Sequence, residues 1–349
     1  MSQEPSVPLV EMLTRIWERV LQRSPIGAND HFFDIGGSFE AADMVFAAIA
    51  QECGRELPSA TIYHAPTIAA LASVLEQTAP PQFSPFVQVK AGHKHPPILM
   101  VHGLAGTVPF FELARHIETD GHSVYGIQAK GVDGMEEPLN RVEDMAEFYL
   151  AAIKKFQPRG PYKLIGYSFG GLVALEMAQS MFEVGEEVSL LVLVAAYPDP
   201  QYLSWTQRLL LVARRARRHA SRMRRRSIRE KILYLVHELE QRLHTADLSS
   251  GGTTFLEGSR LSFAQTTLSV KEQCRVALAR YRPRPYPGKI GFVKSEKDRY
   301  FPADPVAVWG HLAGEFEVET VPGGHLDMVT EDFEKLAEVL TRYVKKATS

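Results

Sequence analysis

The chain has 349 residues, 45% of them hydrophobic and 23% charged, the make-up of an ordinary globular protein with room for one large domain and one small one. A net charge of −2 exerts no overall pull on nucleic acid, and Cys53 and Cys274, the only cysteines, are too few for a disulfide framework or a thiolate metal site. No apolar run reaches 18 residues, no leader pattern is visible, and CxxC, HExxH and GxxxxGK[ST] are all missing, so a cytoplasmic protein without metal or P-loop chemistry is expected.

Residues 1–77 predict helices throughout. "VPLVEMLTRIWERVLQ" sets Leu9, Leu13, Ile16, Trp17 and Val20 on one face, "SFEAADMVFAAIAQECG" is a second amphipathic run ending at Gly54, and "PTIAALASVLEQ" is a third opening at Pro66. "TAPPQFSP", residues 78–85, holds three prolines and reads as a stiff linker, with the next domain starting near 96. The pattern then changes. "PPILMVHG", "KLIGYS" and "LLVLVAAYP" are short apolar strands, and helical stretches such as "TVPFFELARHI" and "GGLVALEMAQSMFEVG" follow them. Such alternation predicts an α/β fold, a mainly parallel sheet covered on both faces. Residues of about 200–280 form a long basic helical insertion before "KIGFVKSEKD", placed where it can serve as a lid over the carboxyl ends of the strands.

Gly166-Tyr167-Ser168-Phe169-Gly170 is a GxSxG sequence between a strand and a helix, the context of a nucleophile elbow. A serine hydroxyl is a weak nucleophile and needs a base held by a third group. His325, in "VPGGHLDMV" after the final strand pattern "FEVETV", occupies the place of that base. An oxyanion hole needs two backbone amides. Phe169, after the nucleophile, offers one, and Leu104 in the glycine turn of "MVHGLAG" offers the other, with His102 shaping the loop rather than moving protons.

"VHGLAGTVPFFELARHI", "VYGIQAKGVDG", "YLAAIKKFQPRGPYKLIGYSFGGLVALEMA" and "VPGGHLDMV" together resemble the thioesterase domains that end nonribosomal peptide and polyketide assembly lines. The resemblance covers residues 96–346 and implies an α/β-hydrolase with a helical lid over 96–349. "SPIGANDHFFDIGG" and "ELPSATIYHAPTIAALA" are similar to phosphopantetheine carrier proteins, which implies a small all-α carrier-like bundle over 1–77, joined by a linker over 78–95. The implied activity is thioesterase release of an acyl, peptidyl or polyketide chain through an acyl-serine, by hydrolysis or cyclisation. An amide- or ester-forming acyltransferase on the same residues and a non-catalytic docking protein are the alternatives. The implied partners are carrier domains of a synthase, in cis or in trans, with neither nucleic acid nor membrane. Met1, just before the first helix, favours a protein acting in trans, a terminal fragment being the other reading.

Two positions depart from the family pattern. The acid of these thioesterases usually follows the strand that here reads "LVLVAAYPDP", and that place falls on Ala195. Asp298 in "KSEKDRYFP", after the next strand, is the expected replacement, followed by Asp199 and Asp304. In the carrier-like loop, a count without gaps puts Ser38 in a polar slot and Phe39 at the arm-attachment position. A one-residue loss after Gly37, balanced by a gain in the helix, makes Ser38 the attachment point for 4′-phosphopantetheine. A plain helix cap at Ser38 is the third reading. Finally, residues 213–231 hold ten Lys or Arg and one acid, whereas residues 1–77 hold ten acids and four arginines, so docking of an acidic carrier on a basic lid is expected, with a solvated helix face as the alternative.

Overall fold

The computed structural model describes residues 6–77, 83–107, 110–224, 262–297, 301–302 and 304–347. Helices α1 (Val7–Leu21), α2 (Phe39–Cys53) and α3 (Ile68–Glu76) pack together with a short 3₁₀ turn, Ser59–Tyr63. Their meeting faces are the ones their periodicity marks: Leu13, Ile16 and Trp17 of α1, Ala42, Val45, Phe46 and Ile49 of α2, and Ile68, Leu71 and Leu75 of α3 are buried. Helix α2 ends at Gly54, whose φ of 67° supplies the left-handed turn a side chain would resist. Helix α3 starts after Thr67, whose hydroxyl accepts from Ala70 N at 3.1 Å.

The larger part is a seven-stranded sheet. Its strands are β1 (Phe86–Lys90), β2 (Lys94–Val101), β3 (His122–Ile127), β4 (Tyr162–Tyr167), β5 (Val188–Val194), β6 (Tyr286–Ser295) and β7 (Ala313–Val321), in the order β1-β3-β2-β4-β5-β6-β7. All neighbours are parallel except β1, which runs antiparallel to β3 at the edge. Residues 86–90, within the stretch expected to be linker, are therefore strand, because Val87 is buried and Phe86 packs edge-on to Phe156 at 4.9 Å. The neighbouring prolines hide this strand from a composition-based reading.

Helices α5 (Val142–Phe156) and α6 (Phe169–Glu183) cover one face of the sheet, and α4 (Phe111–His116) and α9 (Phe333–Lys346) the other. Successive residues of β2 alternate between the two layers: Leu99 and Val101 join the α5–α6 side, Ile98 and Met100 the α4–α9 side. Of the insertion, α7 (Trp205–Arg224) and α8 (Phe263–Arg280) are described. Tyr281 and Arg284, following α8, both hydrogen-bond to the buried Glu176 of α6, at 2.9 and 2.8 Å, and tie the insertion to the layer behind the sheet. Among the described residues no helix is long and apolar enough to cross a membrane.

Because β3 and β4 flank β2 on opposite sides, the chain reverses its direction of winding there, and a crevice opens at the carboxyl ends of β2 and β4. Helix α6 approaches that crevice closely: a Cβ on Gly170 would stand 2.1 Å from the His102 carbonyl oxygen, and one on Gly166 would stand 2.4 Å from that of Gly170. Gly170→Ala should therefore cost about 2 kcal/mol or more by overpacking, lowering Tm by about 4–8 °C in a thermal melt. A melt unchanged from wild type would show that the helix can retreat without loss.

Candidate active site

Ser168 joins the end of β4 to the start of α6 with φ 54° and ψ −120°, a strained conformation for a non-glycine residue. It is held by its own N–H, which donates to Val194 O of β5 at 2.8 Å, and by Gly171 N, which donates back to Ser168 O at 3.0 Å. The turn lifts the side chain into the crevice, where Oγ lies 2.9 Å from His325 Nε2. The fold thus brings together two sequence-predicted residues 157 apart in the chain.

His325 is fixed by its surroundings. Tyr167 donates its hydroxyl to the His325 carbonyl at 2.8 Å and stacks its ring against the imidazole, centroids 5.2 Å apart and planes 26° apart. Phe301 brings another ring to 5.1 Å. Tyr167 was missed in the sequence as a contributor, although its place between Gly166 and Ser168 was the available signal: the residue before the nucleophile must leave the elbow near the last loop. The ends of β6 and β7 are also joined there. Ser295 Oγ donates to Gly323 O at 2.7 Å, and Lys297 N donates to the same carbonyl at 3.0 Å.

Phe169 is the first residue of α6, so its N–H has no acceptor within the helix. Leu104 sits in the turn closed by Gly106 N donating to Gly103 O at 3.1 Å, half-buried beside the crevice. That turn leans on His102, which is fully buried, with Nδ1 2.6 Å from Gly103 O and Nε2 2.7 Å from the Tyr149 hydroxyl. A carbonyl can only accept, so Nδ1 carries the proton and Nε2 accepts from Tyr149. Burial drives the His102 pKa from the ordinary 6.5 down to about 4, so the ring is neutral and structural, as the sequence suggested.

Ala195, at the end of β5, is fully buried, and its φ of 47° is uncommon for anything but glycine, with Asn and Asp the usual exceptions. The side chain at this strand end is a methyl, which cannot orient an imidazole. Asp298 lies outside the described residues. Its two rivals are occupied elsewhere: Asp199 Oδ1 accepts from Gln201 N at 2.9 Å, and Asp304 Oδ1 accepts from Val306 N at 2.9 Å and Ala307 N at 3.3 Å, each capping a short helix.

Ser38 is exposed at the start of α2, where its Oγ accepts from Ala41 N at 3.2 Å. The cap reading of Ser38 is thus observed, and Phe39 is the first residue of the helix. Loop and helix together face α4 and α8. Asp34 forms an ion pair with Arg115. The Phe33 ring stacks on Phe111 at 5.5 Å and 22°, and Asp43 accepts from Phe263 N, at the start of α8, at 3.0 Å. Among the described residues the cation meeting the acidic region is Arg115 of α4. Residues 225–231 of the basic run lie outside the described residues.

A serine on a strained elbow, a histidine on its hydroxyl and a parallel sheet behind them define a serine-nucleophile enzyme of the α/β-hydrolase type. The chain belongs to the thioesterase family: the model for the thioesterase domain matches residues 96–343, and that for a phosphopantetheine attachment site matches residues 11–75. It is 36% identical over 197 residues to a dimodular nonribosomal peptide synthase of Bacillus subtilis (strain 168), covering 56% of this chain and 8% of that protein. It is 34% identical over 193 residues to an indigoidine synthase of Streptomyces lavendulae, covering 55% of this chain and 15% of that one. The chain thus spans less than a fifth of the length of either relative. Among solved structures, a four-domain nonribosomal peptide synthetase superposes with a TM-score of 0.57 at 21% identity, over 98% of this chain and 26% of that one. The type II thioesterase of the borrelidin biosynthetic cluster gives 0.50 at 19%, over 74% and 96%. At such identities the likeness is one of fold.

The neutral His102 has a consequence for acid stability. Its folded pKa of about 4 lies below the ordinary 6.5, so its contribution is complete above pH 6.5, is lost as pH falls from 6.5 towards 4, and is flat below. Urea unfolding should show a slope of roughly 1.4 kcal/mol per pH unit from this group in that window. His102→Gln, which cannot take up a proton, should be less stable at neutral pH and lack that part of the slope. Equal slopes in both proteins would contradict the assignment.

Proposed function

We propose that this chain is a carrier-coupled thioesterase that releases an acyl chain through an acyl-serine, and the observation carrying this is the 2.9 Å approach of His325 Nε2 to Ser168 Oγ on the elbow. His325 takes the hydroxyl proton as Ser168 attacks the thioester carbonyl. The amides of Leu104 and Phe169 receive the charge on the carbonyl oxygen. Collapse expels the thiolate, which takes the proton from His325 and leaves the acyl ester on Ser168. Water, or a nucleophile within the acyl chain, then attacks the ester as its proton passes to His325, and collapse breaks the acyl–Oγ bond as His325 returns that proton to Ser168 and the product leaves.

With Nε2 on Ser168, the orienting acid belongs at Nδ1, and Asp298 is our assignment. Its support is positional. Lys297, one residue before, donates its N–H to the Gly323 carbonyl in the turn that carries His325, and Phe301, three residues after, has its ring against His325, so both flanks of residues 298–300 meet that turn or the histidine on it. Asp199 and Asp304 serve as helix caps.

Ser38 is our assignment for the arm. It is an exposed hydroxyl at the N-terminus of a 15-residue helix, where unpaired amides favour an attached phosphate, and Phe39 has no atom that could form the ester. Bound there, 4′-phosphopantetheine would supply a thiol that carries the acyl chain as a thioester. In the same proposal residues 1–77 act as a carrier in cis, supported by their contacts with α4 and α8, and carriers of a synthase are served in trans at the same face. A cytoplasmic location accompanies it, supported by two cysteines that are both free thiols.

Ser168→Ala should lower turnover of an acyl-N-acetylcysteamine thioester by about 10⁶-fold. Asp298→Asn should lower kcat by about 10⁴-fold, while Asp199→Asn and Asp304→Asn stay near wild type; activity unchanged by Asp298→Asn would remove that residue from the site. For the arm, intact-mass analysis after incubation with a phosphopantetheinyl transferase should show one added arm on the wild type and none on Ser38→Ala. An arm still present on that variant would move the attachment elsewhere.

A further inference from the structure

We infer that Tyr149 and His102 are positioning residues that aim the oxyanion amide of Leu104, by holding the peptide that Leu104 shares with Gly103. This deepens the proposed function and rests on its assignment of the Leu104 amide as an oxyanion donor.

A peptide next to glycine turns easily, because glycine accepts backbone angles that other residues refuse. The direction of the Gly103–Leu104 peptide is therefore set by what its polar atoms meet. The Gly103 carbonyl accepts twice, from His102 Nδ1 at 2.6 Å and from Gly106 N at 3.1 Å. In a trans peptide the carbonyl and the following N–H point in opposite directions. Tethering the Gly103 oxygen to the imidazole thus turns the Leu104 N–H away from His102. Among the described residues that N–H meets no acceptor. An open donor beside the crevice, fixed before charge develops, is what an oxyanion needs.

The tether requires the proton on Nδ1, and Tyr149 keeps it there. Its hydroxyl, 2.7 Å from Nε2, donates to that nitrogen and leaves Nδ1 to donate to Gly103. Both side chains are fully buried, so neither ring nitrogen is open to solvent. Tyr149 stands in the middle of α5, within the packed layer that also holds Phe169, and this gives the relay a rigid origin. The His102 ring itself lies 6.3 Å from that of Phe169, whose amide is the second donor. Other bonds place the loop as a whole: His102 N donates to Ile127 O at 3.2 Å, and Ala129 N donates to Gly106 O at 2.8 Å. Neither of those bonds reaches the Gly103–Leu104 peptide, whose direction is left to the imidazole and Gly106.

The test uses the full chain and an acyl-N-acetylcysteamine thioester. Tyr149→Phe keeps the ring and removes the hydroxyl that fixes the tautomer. Deleting an oxyanion donor costs about 10²–10³ in kcat, so misaiming one should cost about 10-fold, with KM within about twofold. Tyr162→Phe is the control for a lost buried bond. Its hydroxyl donates to Gln157 O at 3.2 Å at the end of β4 remote from Ser168, so the change should lower Tm and spare kcat. Substitutions at His102 separate aiming from packing. The side-chain nitrogen of asparagine takes the place of Nδ1, and that of glutamine the place of Nε2. His102→Asn should therefore keep a donor on Gly103 O and turn over several-fold faster than His102→Gln, although glutamine is closer to histidine in size. In the His102→Asn background, Tyr149→Phe should cause no further loss of kcat, since an amide has no tautomer to fix. Wild-type kcat in Tyr149→Phe, or His102→Gln as active as His102→Asn, would overturn the inference. Wild-type protein without Ser168-dependent turnover would instead sink the functional reading itself, so the two failures are told apart.

Discussion

The structure depends on how closely α6 can approach the sheet. Gly166 and Gly170 let the helix start against the carbonyls that end β2 and β4, at distances no side chain would allow. That closeness forces Ser168 into its strained turn and presents its hydroxyl to the crevice, while the first amide of α6 is left without a helical acceptor. The strain, on the order of 1–3 kcal/mol for such a backbone conformation, is borne by the bond from Ser168 N to Val194 O and by the buried β4–β5 pairing around it. Everything else in the site is placed relative to that turn.

The histidine of the site is held differently. His325 comes from a surface turn, and its position rests on a chain of contacts converging from three strands: Tyr167 from the end of β4, Ser295 and Lys297 from the end of β6, and the Gly323 carbonyl after β7. Ala195, at the end of β5, has a φ of 47°, in the left-handed region that few non-glycine residues adopt.

The carrier-like region meets the enzyme through a small aromatic cluster edged by charge. Phe33, Tyr63, Phe111 and Phe263 pack together where the two regions meet, with Asp34–Arg115 and Asp43–Phe263 N beside them. Aromatic pairs of this kind add roughly 0.5–1.5 kcal/mol each beyond their buried area, whereas a half-exposed ion pair adds at most about 1 kcal/mol.

What the sequence determined by itself was whatever local pattern encodes: the periodic faces of α1–α3, the buried strands that end in glycine turns, and the elbow around Ser168. Each follows from the residues within a few positions of it. His325 was also legible, because strand order along the chain limits where a base can stand. Strand β1 was not, since five residues beside a proline-rich stretch become strand only when Ile127 and its neighbours offer an edge. Nor could the chain alone reveal the bracing of His325 by Tyr167 and Phe301, the cap duty of Asp199 and Asp304, or the seat of Phe33 and Tyr63 on Phe111. These contacts join residues far apart in sequence, and only the packing of the sheet, with its strand ends gathered on one side, brings them within reach of one another.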